Sequence, residues 1–294
     1  MAASFWMHYK DRYGFEDAQN QFGSRQMIRT FSFGLCLASL PLALAACNKP
    51  ASSAADYPAS VDEAIAQISD GFSRLQSYTA RIRGRVSRSP GQVVSTGTVD
   101  GRIEIQPGDP VARFRIEENA NIRVEMPGLA KTVQQQQQTT IIGDGNFVYN
   151  IVGANRQRRA MKLPADKTGA GDVRQLLRSL QANQNVKLLP ATEIEGIQAI
   201  TLESTPRDPE TRRVVGRSVF CFHPTHGVLL RREQFSPDGE SAVLYEYYER
   251  RFNVPLDDSR FKFDPKGVKL IDQTGSPPTG PRKPPPQSQP AVGP

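Results

Sequence analysis

Between residues 80 and 86 the chain alternates with a period of two: Ala80, Ile82, Gly84 and Val86 are separated by Arg81, Arg83 and Arg85. Successive side chains of an extended strand point to opposite faces, so this spacing predicts a strand with one apolar and one basic face. Further alternating or apolar runs follow at 99–105, 112–117, 122–126, 140–142, 147–152, 199–203, 214–222, 228–235 and 243–252. Turn signals punctuate them at Asp100-Gly101, Gly143-Asp144-Gly145, Thr225-His226-Gly227 and Pro237-Asp238-Gly239. Roughly ten short strands joined by tight turns argue for an antiparallel sheet curled toward a barrel.

Two helices are expected beside the strands. Ser60 and Glu63 form a capping-box pair, and Val61, Ile65, Ile68, Phe72 and Leu75 then share one face at helical spacing. Such a helix either faces a core or covers the mouth of an apolar cavity, and the sequence does not separate these. Asp172 can cap a second helix whose apolar stripe is Val173, Leu176, Leu177 and Leu180. The glutamine run 134–138 reads as a loop. The fold class is therefore α+β, with helices packed across one mouth or face of a curved antiparallel sheet.

This domain, 60–272, is preceded by a targeting sequence. Met27-Ile28-Arg29-Thr30 makes a charged start, residues 31–44 make a short apolar stretch, and Leu44-Ala45-Ala46-Cys47 matches a lipobox. The apolar stretch is broken by Pro41 and falls short of the ~20 residues a spanning helix needs. Cleavage before Cys47 and lipidation of that cysteine are expected. Residues 1–26 are polar and mixed in charge, and translation is expected to start at Met27, leaving 27–46 as the signal peptide. Asn48 follows the cysteine, where Asp would resemble an inner-membrane retention signal, so the expected site is the outer membrane, facing the periplasm. Residues 47–59 read as lipidated cysteine and tether, and 273–294, rich in Pro, Gly, Ser and Gln, as a disordered tail.

The chain carries 37 basic and 30 acidic residues. Cleavage removes four basic (Lys10, Arg12, Arg25, Arg29) and three acidic residues (Asp11, Glu16, Asp17), leaving a net charge near +6. That suits work beside anionic head groups. No Lys/Arg block or nucleic-acid motif accompanies it, so nucleic acid is not an expected partner. Cys36 leaves with the signal, and Cys221 is then alone in the apolar run Val219-Phe220-Cys221-Phe222, which favours a buried, inert thiol.

No catalytic pattern emerges. His223 and His226 flank a Pro-Thr turn, and no third His or Cys ligand lies nearby, so no metal site is expected. There is no Gly-x-Ser-x-Gly elbow, and Gly143-Asp144-Gly145 is too short for a phosphate loop. Neither cofactor nor enzyme activity is expected. What remains is apolar surface on a curved sheet beneath helices, a space that can take acyl chains at about 0.8 kcal/mol per buried methylene. Candidate lining positions are Ile82, Val86, Phe114, Ile116, Ile122, Val124, Met126, Phe147, Tyr149, Phe220 and Phe222. Candidate lid positions are Ile65, Ile68, Phe72, Leu75, Leu176, Leu177 and Leu180.

Four motifs taken in order, Asp70 to Ala80, Ala112 to Ile116, residues 141–149 and Asp257 to Val268, resemble the LolA/LolB-like outer-membrane lipoprotein carrier superfamily. Asp70-Gly71-Phe72-Ser73-Arg74-Leu75-Gln76-Ser77-Tyr78-Thr79-Ala80 is similar to its helix-to-first-strand junction. Ala112-Arg113-Phe114-Arg115-Ile116 resembles its Arg-Phe-Arg strand, and residues 141–149 its Asp-Gly turn before an aromatic strand. The run from Asp257 to Val268 resembles its closing pattern, a Phe-x-Phe strand (Phe261, Phe263) followed by Pro265 and Gly267-Val268. The resemblance implies a half-open β-barrel lidded by helices, whose cavity takes lipoprotein acyl chains and hands them to an acceptor. The lipid anchor, the glutamine run and the Pro-rich tail depart from that pattern. An anchored form fits an acceptor of the LolB kind, although the motifs themselves look more LolA-like.

The expectation is a non-enzymatic lipid- or lipoprotein-binding protein, held at the membrane through Cys47 and taking part in transfer to the outer membrane. Its partners would be acyl chains of lipoproteins or other lipid, and a periplasmic lipoprotein carrier. The alternatives are a lipid- or stress-sensing regulator of the same fold, of the anti-sigma-factor regulator type, and a structural surface lipoprotein with a solid interior.

Overall fold

A computed structural model describes residues 57–88, 94–109, 111–126, 131–154, 157–165 and 171–274. The signal at 27–46, Cys47 and the tail from 275 onward lie outside the described residues. Twelve strands form one sheet in the order β12-β6-β5-β4-β3-β2-β1-β11-β10-β9-β8-β7. They are β1 (Tyr78–Arg88), β2 (Val94–Gln106), β3 (Arg113–Met126), β4 (Lys131–Gly143), β5 (Phe147–Ala154), β6 (Gln157–Pro164), β7 (Gln184–Ile194), β8 (Ile197–Pro206), β9 (Ser218–Phe222), β10 (Leu229–Phe235), β11 (Ser241–Phe252) and β12 (Val268–Asp272). All neighbours are antiparallel except β12 on β6. The ends β12 and β7 do not pair, so the sheet is open.

Among the described residues three helices accompany it: α1 (Val61–Ser73), α2 (Val173–Asn183) and α3 (Pro209–Val215). The Ser60 side chain accepts from the Glu63 amide at 3.2 Å, while the Glu63 carboxylate accepts from the Ala59 amide at 2.8 Å. This reciprocal pair starts α1 as its sequence required. In the chain α2 lies between β6 and β7, which sit near opposite ends of the sheet order, so it carries the chain from one half of the sheet to the other. The halves join where β1 pairs with β11.

The main core shows that the sheet is strongly curved. Val148 of β5 and Ile200 of β8 belong to one buried cluster with α1 and α2, although eight strand steps separate β5 from β8. On a flat sheet those steps would span about 38 Å, at ~4.8 Å each. Two helices of ~10 Å diameter cannot fill that gap, so the sheet curls around them. The opposite face carries two smaller clusters. One gathers Ile142, Ile151 and Ala160 under Tyr149, Phe263 and Val268. The other gathers Ala199, Cys221 and Leu230.

Several sequence expectations are corrected. The glutamine run 134–138 is not a loop but lies within β4, paired residue for residue with β3 from Gln134↔Arg123 to Gln138↔Asn119. Ladder hydrogen bonds come from the backbone, so a long polar strand is stable where its side chains remain exposed or half-exposed. Asp100-Gly101 is not a turn but mid-strand in β2, and runs 112–117 and 122–126 are one strand, β3. The run at 214–222 is split: Val214 and Val215 end α3, and β9 begins at Ser218. Asp208 caps α3 by accepting from the Thr211 amide, with Pro209 in its first turn, a start signal that the sequence carries. Phe261 and Phe263 do not form a strand. Asp258–Phe261 is a single 3-10 turn, and the strand of this region is β12. Strands β6, β7 and β12 add to the expected set. Among them only Ala160 is a buried apolar residue, so no alternating pattern marks them.

Candidate functional site

The site is the inner face of the curved sheet and the two helices seated in it. Ile82, Phe114, Phe220 and Phe222 are buried in the main cluster, with Ile116 packed at its margin. Ile65, Ile68, Phe72, Leu177 and Leu180 face them from the helices, Leu75 from just past the end of α1, and Leu176 is half-buried beside them. Val86, Ile122, Val124 and Met126 are half-buried outside this cluster. Phe147 and Tyr149 must be removed from the inner set. Val148 faces the helices, so strand alternation turns its neighbours to the back. There Tyr149 stacks on Phe263, centroids 4.4 Å apart, and the Lys162 ammonium lies 3.9 Å from the centre of the Phe147 ring.

The helices fill the concavity. Phe72, Ile68, Phe114 and Phe222 are fully buried, and helix side chains lie directly on the sheet. Side chains of the helices thus occupy the inner face of the sheet. Polar and backbone contacts hold the helices. The Asp172 carboxylate, 1% exposed, accepts from the Arg174 and Gln175 amides at the start of α2 and from the Ala112 amide at the start of β3. It also accepts twice from the Arg174 guanidinium, which donates onward to the Gly108 carbonyl at 2.6 Å and sits 5.6 Å from the centre of the Phe72 ring. At the other end of α2, Arg207 donates to the Gln181 and Ala182 carbonyls.

The first helix is held by close backbone approach. A Cβ on Gly227 would lie 2.0 Å from the Ile68 carbonyl oxygen, and one on Gly71 would lie 2.7 Å from that of Thr225. Helix and turn thus meet where neither has a side chain, and the Gln67 amide donates to the Pro224 carbonyl at 3.4 Å. The same turn holds His223 and His226 against Phe252. The two imidazoles are 4.7 Å apart. Burial, with positive His226 and Arg250 adding to it, lowers His223 to about 4. Among the described residues no group of three His, Cys, Asp or Glu could hold a metal. Immediately before α1, Tyr57 reaches the irregular stretch of β7 and β8. Its hydroxyl donates to the Leu189 carbonyl at 2.7 Å and accepts from the Thr201 amide at 3.2 Å.

Beyond the helices the inner face turns polar, a feature absent from the sequence expectations. Arg232 of β10 pairs with Tyr245 of β11, and Tyr245 with Gly84 of β1. One row along, Tyr247 lies beside Ile82, which neighbours Gly101 and then Glu118 of β3. Arg88 sits near Tyr245 and Arg232, and the Arg232 guanidinium lies 5.5 Å from the centre of the Phe220 ring. All five polar side chains are half-buried: crowded by neighbours yet open to solvent on one side. Burial raises the Glu118 carboxyl against the opposing pull of Arg232. Burial also pushes the Tyr247 phenol up to about 12, with Arg232 opposing and Glu118 adding. Tyr245 and Tyr247 occupy alternate positions on β11, a signal the sequence carries, but Arg232, Arg88 and Glu118 lie on other strands and only the fold joins them to it.

On the back face a cleft of about 190 Å³ is lined by Arg83, Glu193, Glu195, Arg231, Glu246 and Arg250. Its cations are matched by carboxylates, as in Arg83–Glu246 at 2.9 Å and Arg250–Glu195 at 2.6 Å. Cys221 is buried on this face, and burial raises its thiol, so it is inert.

An open curved antiparallel sheet with helices in its concavity is the architecture that the resemblance to the LolA/LolB-like superfamily implied. No protein-family model matches the sequence, and no curated protein matches it. Solved structures with a similar course of chain include an uncharacterized conserved protein from Thermus thermophilus, at 12% identity over 72% of this chain and 98% of that one, with TM-score 0.45. The MucA/MucB complex of Pseudomonas aeruginosa is similar at 13% identity over 69% of this chain and 60% of that one, TM-score 0.37. A LolA superfamily protein from Nitrosomonas europaea is similar at 9% identity over 70% and 99%, TM-score 0.24. These likenesses are distant, and no ligand or partner follows from them. Among the described residues no helix is long and apolar enough to cross a membrane.

Proposed function

We propose that this chain is a non-enzymatic, membrane-tethered binder of acyl chains that takes part in lipoprotein or lipid transfer to the outer membrane. The observation that carries the reading is the continuous apolar inner face, running from β5 to β8, whose cover is two helices rather than a second sheet. Displacing α1 together with Leu75 just beyond its end exposes Ile65, Ile68, Phe72 and Leu75, which costs about 6–12 kcal/mol at ~1.5–3 kcal/mol per side chain. An acyl chain gains about 0.8 kcal/mol per buried methylene, so roughly eight to fifteen methylenes offset that cost. The lengths match those of membrane acyl chains, and opening without cargo would be rare.

The tether follows from Cys47. If it carries lipid, the ten residues to Tyr57 span at most about 36 Å. Tyr57 is fastened to β7 and β8, so the domain works close to one membrane surface, as an acceptor of cargo would. The filled concavity favours a second reading, a structural surface lipoprotein that binds no lipid. Purified full chain offered a fluorescent fatty acid, and then an acylated lipoprotein loaded on a periplasmic carrier, separates the two. Uptake of both supports transfer, and uptake of neither supports the structural reading. Replacement of Cys47 by Ser should release the protein from the membrane fraction, and unchanged membrane association would remove the anchor from the account.

A further inference from the structure

On the inner face, Arg88, Arg232 and Glu118 lie together at the edge of the apolar cluster, overlooked by Tyr245 and Tyr247. Arg232 stands between Arg88 on one side and Glu118 on the other, so two guanidiniums share one carboxylate and positive charge is in excess. None of the three side chains makes an ion pair or hydrogen bond among the described residues. This contrasts with the back face, where Arg83, Arg231 and Arg250 each meet a carboxylate within 3 Å. Half-buried cations with no hydrogen-bond acceptor are costly, and their usual resolution is a bound anion or hydrogen-bonded water.

The apolar wall adjoins the charge directly. Arg232 pairs with Phe220, itself buried in the main cluster, and Glu118 lies two residues beyond Ile116 on the same face of β3. A ligand chain lying along Phe220, Ile82 and Ile116 would thus end at the two arginines. From this juxtaposition we infer that the ligand is an amphiphile with an anionic head, a carboxylate or phosphate, gripped by Arg88 and Arg232 and oriented by the Tyr245 and Tyr247 hydroxyls. The inference rests on the acyl-binding reading and specifies the head group that goes with the chain. Glu118 sets selectivity: as a carboxylate it repels the anion, and protonated it can donate a hydrogen bond to it.

The test uses the full chain and three probes of equal acyl length: a fatty acid, a lysophosphatidylglycerol and an uncharged monoacylglycerol, each measured by displacement of a fluorescent acyl reporter. The expected result is binding of one or both anionic probes at least tenfold tighter than the neutral one. Carboxylate and phosphate sources are told apart by which of the two binds tighter. Replacing Arg232 with Gln should weaken the anionic probes about tenfold and leave the neutral probe unchanged. Replacing Glu118 with Gln should tighten them, a gain that misfolding cannot mimic. Equal binding of all three probes, untouched by either variant, overturns the inference while leaving acyl binding intact. Binding of none overturns both.

Discussion

Gly227 meets Ile68 backbone to backbone: a Cβ added to the glycine would lie 2.0 Å from the Ile68 carbonyl oxygen and 2.6 Å from the Phe72 amide nitrogen. Gly227 also has φ of +62°, a conformation that other residues adopt only with strain. One turn residue thereby sets how deeply α1 sits in the sheet. Changing it to Ala should cost more than about 2 kcal/mol, combining backbone strain with displacement of the helix. Thermal unfolding measures the loss. The same variant should take up a fluorescent fatty acid faster than the parent, because its lid is already lifted.

The second helix hangs on Asp172. Its carboxylate accepts from Ala112, Arg174 and Gln175, and it is the ion-pair partner of Arg174. Replacement by Ala would leave three amides without this acceptor and Arg174 without its counter-ion. The expected loss is about 3–5 kcal/mol, as for breaking a buried pair. Replacement by Asn keeps an acceptor for the amides and should cost less. Equal losses for the two, measured by urea unfolding, would contradict the arrangement described.

The closing segment is a strap rather than a strand. Arg260 donates to both oxygens of Glu104, which is 3% exposed, at 2.9 and 3.3 Å. Phe263 stacks on Tyr149 in the same region of the back face. Arg260→Ala should leave Glu104 with Arg102 alone and lower stability by about 2–4 kcal/mol. Hydrogen exchange in β12 should rise in parallel if the strap is what seats that strand.

Acid weakens the turn that holds α1. His223 is neutral in the folded protein down to about pH 4, whereas an unfolded histidine takes its proton near 6.5. Between these values the unfolded state binds the extra proton, so stability falls as pH drops from about 6.5 to about 4. It is fully present above that window. His223→Gln should flatten this part of the stability-against-pH curve, and an unchanged slope would assign the effect elsewhere.

The legibility of this molecule follows burial. Period-two alternation at 80–86 is the imprint of one face on helices and the other on solvent, and β1 appears where that alternation puts it. The capping box of α1 and the Asp172 cap of α2 are legible because each is a local signal between residues three apart or fewer. Residues 157–164 and 184–194 are strands at or near the sheet ends, where few side chains are buried, and backbone pairing leaves no mark on composition. Gln134 to Gln138 hide their strand for the same reason. Phe147 and Tyr149 fall on the face opposite to the expected one because no single run shows which side of a strand the helices will occupy. The polar patch of Arg88, Glu118 and Arg232 comes from β1, β3 and β10, so only the fold brings it together.

The central claim is that an acyl chain takes the place of the helices on the inner face. Hydrogen exchange of the full chain, with and without saturating fatty acid, tests it most directly. The amides of α1, residues 61–73, should lose protection on binding while those of β1 and β2 keep or gain it. Binding that leaves α1 as protected as before would contradict the displacement of the helix, and absence of binding would contradict the carrier reading as a whole.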